Sequence, residues 1–175
     1  MHIKNTLTEY GLISKLLHWI SAILLLVQIP LGFYLVDLDF GPERLDIEDL
    51  HIIIGLSIFY LVILRLLTKI INPTPKLNPS IFKGQKFLAK LNHILLYVTI
   101  LSITISGILK KLFNGETLVI FFKEFRIQDN FELAELFYEI HVFSNYFIIA
   151  LITTHIVAVV VHKFFFNDNL IKKIL

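Results

Sequence analysis

Four long apolar stretches set the terms for everything else in this chain. A helix that crosses a bilayer needs about 20 mostly apolar residues, each advancing it ~1.5 Å. The stretches over about residues 16–36, 50–71, 88–109 and 136–166 each reach that length. Asp37 ends the first, and Lys110-Lys111 closes the third. Asn72-Pro73-Thr74-Pro75 ends the second, because proline cannot continue a helix. The expected fold is all-α, an integral membrane four-helix bundle, with residues 1–175 as a single domain. The first stretch does not read as a cleavable signal peptide: it is long, interrupted by His18 and Pro30, and has no small-residue cleavage site after it.

Composition narrows the chemistry. Apolar residues make up 56% of the chain and charged residues only 17%, against about 25% in an average soluble domain, too few to wet the surface of a globule. A net charge of +2 is too small for a nucleic-acid binder. The absence of cysteine excludes disulfides, Cys-ligated zinc, iron–sulfur clusters, thiolate-ligated haem and covalently attached haem. Any chemistry must come from histidine, carboxylates or a non-covalent cofactor.

Charge between the spans predicts orientation, since cytoplasmic loops collect Lys and Arg. The N-terminal tail, the segment from Lys69 to Lys90 and the C-terminal tail together hold ten basic and two acidic residues. Between spans one and two, Asp37, Asp39, Glu43, Asp46, Glu48 and Asp49 face only Arg44. Both termini are therefore expected in the cytoplasm, with two acidic loops outside. The second outer loop intersperses Phe121, Phe122, Phe125, Phe131 and Leu133 with charge, and is expected to lie on the membrane surface as a short helix.

Five of the seven histidines fall in or at the rim of a span: His18, His51, His93, His141 and His155. His162 lies at the inner end of the fourth. Ionisable side chains are costly in a bilayer and mark functional sites. His51 follows Asp49, and His141 follows Glu139, so both enter the membrane at the outer rim. His18 follows Lys15 at the inner rim. Helical rise puts the inner and outer levels about 25 Å apart. His155 lies ~21 Å beyond His141 on nearly the same face, and His162 ~31 Å beyond on that face too, so His155 is the better inner partner of His18. His162 stays open as an alternative.

Two pairs, His51 with His141 and His18 with His155, suit two haems, each iron taking one imidazole from either side. Filled axial positions favour electron transfer over oxygen binding. Zinc fits less well, as two histidines leave its tetrahedral shell incomplete. A proton relay fits less well too, as the spans hold no acid between their rims. Arg65, deep in the second span, is a candidate partner for a propionate of the inner haem, or else snorkels to the surface. Lys110, Lys111, Lys123 and Arg126 are further cations for the outer haem or for drawing in an anionic reactant. Gly55, on the face of His51, and Gly107 are candidate points of close approach for a flat ring. His93, level with His18, is either a contact for a quinone head or a structural residue.

The ordered set resembles the bacterial cytochrome b561 family of small dihaem membrane proteins. Its pieces are His18-Trp19, His51 with Gly55, Arg65-Leu66-Leu67 before Pro73-Thr74-Pro75, His93, then His141, His155 and His162 before Phe165 and Asp168-Asn169. The chain departs from the family at Lys163, where a second histidine is frequent, at Asn167, where lysine is common before the aspartate, and at Lys173, where arginine is common. The resemblance implies two non-covalent haems b ligated at the positions of His18, His51, His141 and His155. It also implies electron exchange between membrane quinone and a partner at the outer face. Some members oxidise superoxide and pass the electron to ubiquinone, which makes them oxidoreductases; others serve as electron-transfer subunits. The rival readings are a cytochrome b membrane anchor of a hydrogenase or other respiratory reductase, and a haem-free structural or transport protein.

Overall fold

The computed structural model describes residues 2–75, 83–120, 122–165 and 170–175. Four helices are long and apolar enough to cross a membrane: α1 (Leu12–Asp37), α2 (Pro42–Ile71), α3 (Lys83–Phe113) and α4 (Phe131–Phe165). A two-stranded hairpin, β1 (Leu118–Ile120) and β2 (Lys123–Phe125), follows α3, and a short α5 (Leu170–Ile174) follows α4. At 26 to 35 residues, the long helices span ~39 to ~53 Å, more than the ~30 Å hydrocarbon layer. Each helix therefore begins or ends outside its apolar stretch. The start of α2 at Pro42, well before Leu50, shows this best: proline at the first position and Glu43 in the first turn suit a helix N-terminus.

The helix ends show how local sequence fixes the frame. Asn5 Oδ1 accepts hydrogen bonds from the Gly11 N–H at 2.9 Å and from Ser14 Oγ at 2.8 Å, and the Leu12 N–H donates to the His2 carbonyl at 2.9 Å. The N-terminal segment thus serves amides at the start of α1 that lack a helical partner. It runs so close that a Cβ on Gly11 would fall 2.4 Å from the Ile3 carbonyl oxygen. At the other end of α1, Arg44 donates to the carbonyls of Leu35 and Leu38. Gly115, at φ 78°, closes α3: its N–H bonds the Leu112 carbonyl while the Glu116 N–H bonds that of Lys111. Asn130 opens α4 by accepting the Leu133 N–H on its side chain.

The chain divides into two compact units, Met1–Asn92 with Thr154–Leu175, and His93–Thr153. In the first, α1 packs on α2, with Ser21, Ile58 and Val62 buried. In the second, α3 and α4 meet through Ser102 Oγ and Ser144 Oγ at 3.2 Å and the stacked rings of Phe113 and Phe137, with Ile100, Ile148 and Leu151 buried. Many large apolar side chains of the spans stay exposed, Leu26, Phe143 and Val98 among them. That is the expected outcome where lipid, not water, is the neighbour.

The segment after α3 corrects the expectation of an amphipathic helix. Leu118 pairs with Phe125, Val119 with Glu124 and Ile120 with Lys123, antiparallel. Leu118 is buried and Val119 exposed, the alternation of a strand. The Schellman turn at Gly115 ends helical hydrogen bonding before these residues are reached. Phe131 and Leu133 belong to the first turn of α4 instead, and Phe121 lies outside the described residues.

Candidate functional site

In the first unit, α1 carries His18 and α2 carries Arg65, and the structure joins them. Arg65 Nη2 donates to Nδ1 of His18 at 3.0 Å, while Nη1 donates to Ser21 Oγ at 2.8 Å. Ser21 is fully buried and donates in turn to the carbonyls of Leu17, at 2.6 Å, and His18, at 3.0 Å. Arg65 therefore turns sideways to α1. His155, on α4 in the same unit, lies within electrostatic reach of the guanidinium. His162 is half-buried in the last turn of α4.

His51 is half-buried on α2. Gln28 Nε2 on α1 donates to its main-chain carbonyl at 2.9 Å. Its ring lies against the backbone of Gly32, where a Cβ would stand 3.2 Å from Cε1. Gly55, expected to admit a flat ring, instead gives room to Gln28, whose Nε2 lies 3.3 Å from where its Cβ would be.

His141 and His93 belong to the second unit. Nδ1 of His141 lies 2.8 Å from the main-chain oxygen of Ile103, with Ser106 Oγ at 3.5 Å. A carbonyl oxygen only accepts, so Nδ1 carries the proton and Nε2 keeps its lone pair. A Cβ on Gly107 would lie 3.1 Å from both Nδ1 and Cε1 of the same ring. Gly107 is thus a point of close approach, for the imidazole of His141. His93 is exposed on α3.

An imidazole that is to bind iron must offer a nitrogen lone pair, and ligating histidines ordinarily donate their other N–H to a carbonyl or carboxylate. His141 meets that condition as it stands. His18 meets it on one condition. Because guanidinium only donates, Nδ1 of His18 presents its lone pair to Arg65, and a neutral ring then carries its proton on Nε2. Ligation through Nε2 requires the proton to move to Nδ1 and Arg65 to leave it.

Sequence reasoning missed Ser21, Gln28, Gly32 and Ile103. Ser21 carried a readable signal, standing three residues after His18 on the same helix face. Ile103 acts through its backbone, and the Gly32 contact depends on how α1 and α2 pack.

A family model for prokaryotic cytochrome b561 matches residues 9–175. Cytochrome b561 homolog 2 of Escherichia coli (strain K12) is 31% identical over 122 residues, 69% of this chain; the match spans 65% of that relative, just under two thirds of its length. A Yersinia pestis protein named probable superoxide oxidase CybB is 26% identical over 177 residues, covering 97% of this chain and 94% of its own. With four helices long and apolar enough to cross a membrane and histidines placed within them, the chain belongs to the prokaryotic cytochrome b561 family.

Proposed function

We propose that this protein moves electrons across the bacterial inner membrane through two haems b, between the quinone pool and a redox partner at the outer face. His51 with His141, and His18 with His155, are the proposed axial ligands, the pairing resting on their depths in the sequence. The observation that carries the reading is His141, whose Nδ1–H is held by the Ile103 carbonyl and whose Nε2 keeps the lone pair an iron needs. Bound haem supplies one-electron transfer, and two imidazoles per iron leave no open position for oxygen.

The chain's own residues do the rest. Main-chain and glycine contacts orient His51 and His141. On α2, Arg65, bonded to Ser21 and to Nδ1 of His18, is the cation that would meet a haem propionate at this level. The likeness to a probable superoxide oxidase supports superoxide as the outer donor and ubiquinone as the acceptor, with His93 a candidate quinone contact. The basic connecting segments support cytoplasmic termini, and residues 1–175 are taken as one functional domain.

Pyridine haemochrome quantification on the purified protein tests this directly. Two haems b per chain are expected. Replacing His51 and His141 together should remove one, and His162→Ala should keep both. Purified protein without a reduced-haem α-band after dithionite would refute the reading. Rapid mixing with superoxide and a quinone analogue then tests the donor and acceptor.

A further inference from the structure

The geometry points to Gly32 and Gly107 as positioning residues for the imidazoles of His51 and His141, an inference that rests on the reading of those histidines as iron ligands. Each glycine stands on the helix that adjoins its histidine within the same compact unit, and each faces the same edge of the ring. A Cβ on Gly32 would lie 3.2 Å from Cε1 and 3.7 Å from Nδ1 of His51. One on Gly107 would lie 3.1 Å from both Cε1 and Nδ1 of His141. Carbon contacts are optimal at about 3.5–4.0 Å, so a methyl group at either position forces the ring to give by a few tenths of an ångström.

A second contact repeats in the same register. One turn before Gly32, Gln28 donates to the His51 carbonyl at 2.9 Å. One turn before Gly107, the Ile103 carbonyl accepts from Nδ1 of His141 at 2.8 Å. Residues four apart share a helix face. Each histidine therefore meets its neighbouring helix at two points, a hydrogen bond and bare backbone, the hydrogen bond holding the main chain of His51 but the ring of His141. For His141 both points touch the Nδ1–Cε1 edge, and Nε2 takes part in neither contact. A side chain at Gly107 would turn the ring and stretch the Ile103 hydrogen bond together. Gly41 offers a control, since a Cβ there meets nothing within 4 Å.

The test compares the full haem-loaded protein with its Gly32→Ala, Gly107→Ala and Gly41→Ala variants. The readouts are the low-spin ferric EPR signal and the rate of haem loss to excess apomyoglobin. Gly32→Ala and Gly107→Ala should each shift the signal of one haem and speed its loss on the order of tenfold, while Gly41→Ala matches the parent protein. Unshifted signals and unchanged loss rates in both variants would overturn the inference. So would failure of both to accumulate in the membrane, which would mark these glycines as helix-packing residues. Absence of haem from the parent protein, or two haems retained after His51 and His141 are replaced together, would instead sink the ligand reading beneath it.

Discussion

Arg65 and Ser21 tie α2 to α1 at the level of His18, the guanidinium donating to a hydroxyl that no solvent reaches. The same guanidinium bonds Nδ1 of His18, so one side chain bears on both helix packing and the tautomer of a ring. Ser21→Ala takes away the hydroxyl that accepts from Arg65 Nη1 and should cost about 1–3 kcal/mol, since a buried donor that loses its acceptor bears its desolvation. Arg65→Leu should cost about as much, and the double variant less than the two together, with a coupling of roughly 0.5–3 kcal/mol. Unfolding in detergent micelles measures the cycle; additive losses would mean the contact contributes nothing.

Glu116, beyond the end of α3, gives a pH-dependent outcome. Its partial burial raises the carboxyl pKa, but hydrogen bonds from Lys111 and Asn114 and the charges of Lys111 and Lys110 outweigh this and hold it below the ordinary carboxylate range. A carboxyl depressed in the folded state stabilises above its unfolded pKa and loses that contribution as pH falls through the folded value. The Glu116 side chain keeps 37% of its exposure, so the pair contributes only about 0.5–1 kcal/mol. Glu116→Gln should lower stability by that amount at neutral pH and by nothing well below pH ~4. A loss that persists in acid would show that packing, not charge, holds the residue.

Trp19 is the sole tryptophan, and its indole N–H donates to the Ile174 carbonyl at 3.0 Å. The Tyr10 N–H donates to the Lys173 carbonyl close by. Deleting residues 170–175 should therefore shift tryptophan emission to the red as the indole exchanges a protein partner for water. Unmoved emission would show that α5 leaves this ring in solution.

A chain without cysteine suits single-cysteine labelling. Under the proposed topology, Asp39→Cys should react with an impermeant maleimide in intact spheroplasts, and Lys4→Cys only after permeabilisation. The reverse pattern would invert the proposed topology and carry the redox partners with it.

Much of the fold was legible because hydropathy and proline report what lipid demands. The four spans, and histidines within them, follow from that alone. Helix starts were less legible: α2 opens at Pro42 within acidic sequence, where capping chemistry rather than apolarity decides. The loop aromatics suggested a surface helix, but alternation at Leu118 and Val119 and the turn at Gly115 make a hairpin. The contacts around the histidines were the least legible. Arg65 and Ser21 stand 44 residues apart, and the Ile103 carbonyl has no side-chain signature. Contacts that use main chain or the absence of a side chain leave little trace in residue identity.

The tip of that hairpin bears on how the connection between α3 and α4 was shaped. Phe122 stands at φ 63° with its ring wholly exposed, a backbone setting that costs an L-residue roughly 1–2 kcal/mol and glycine almost nothing. Phe122→Gly should accordingly firm up the hairpin by about 1 kcal/mol, read as slower amide exchange at Ile120 and Lys123. A benzyl group kept where a hydrogen atom would rest at ease means that folding thermodynamics alone did not choose the residue.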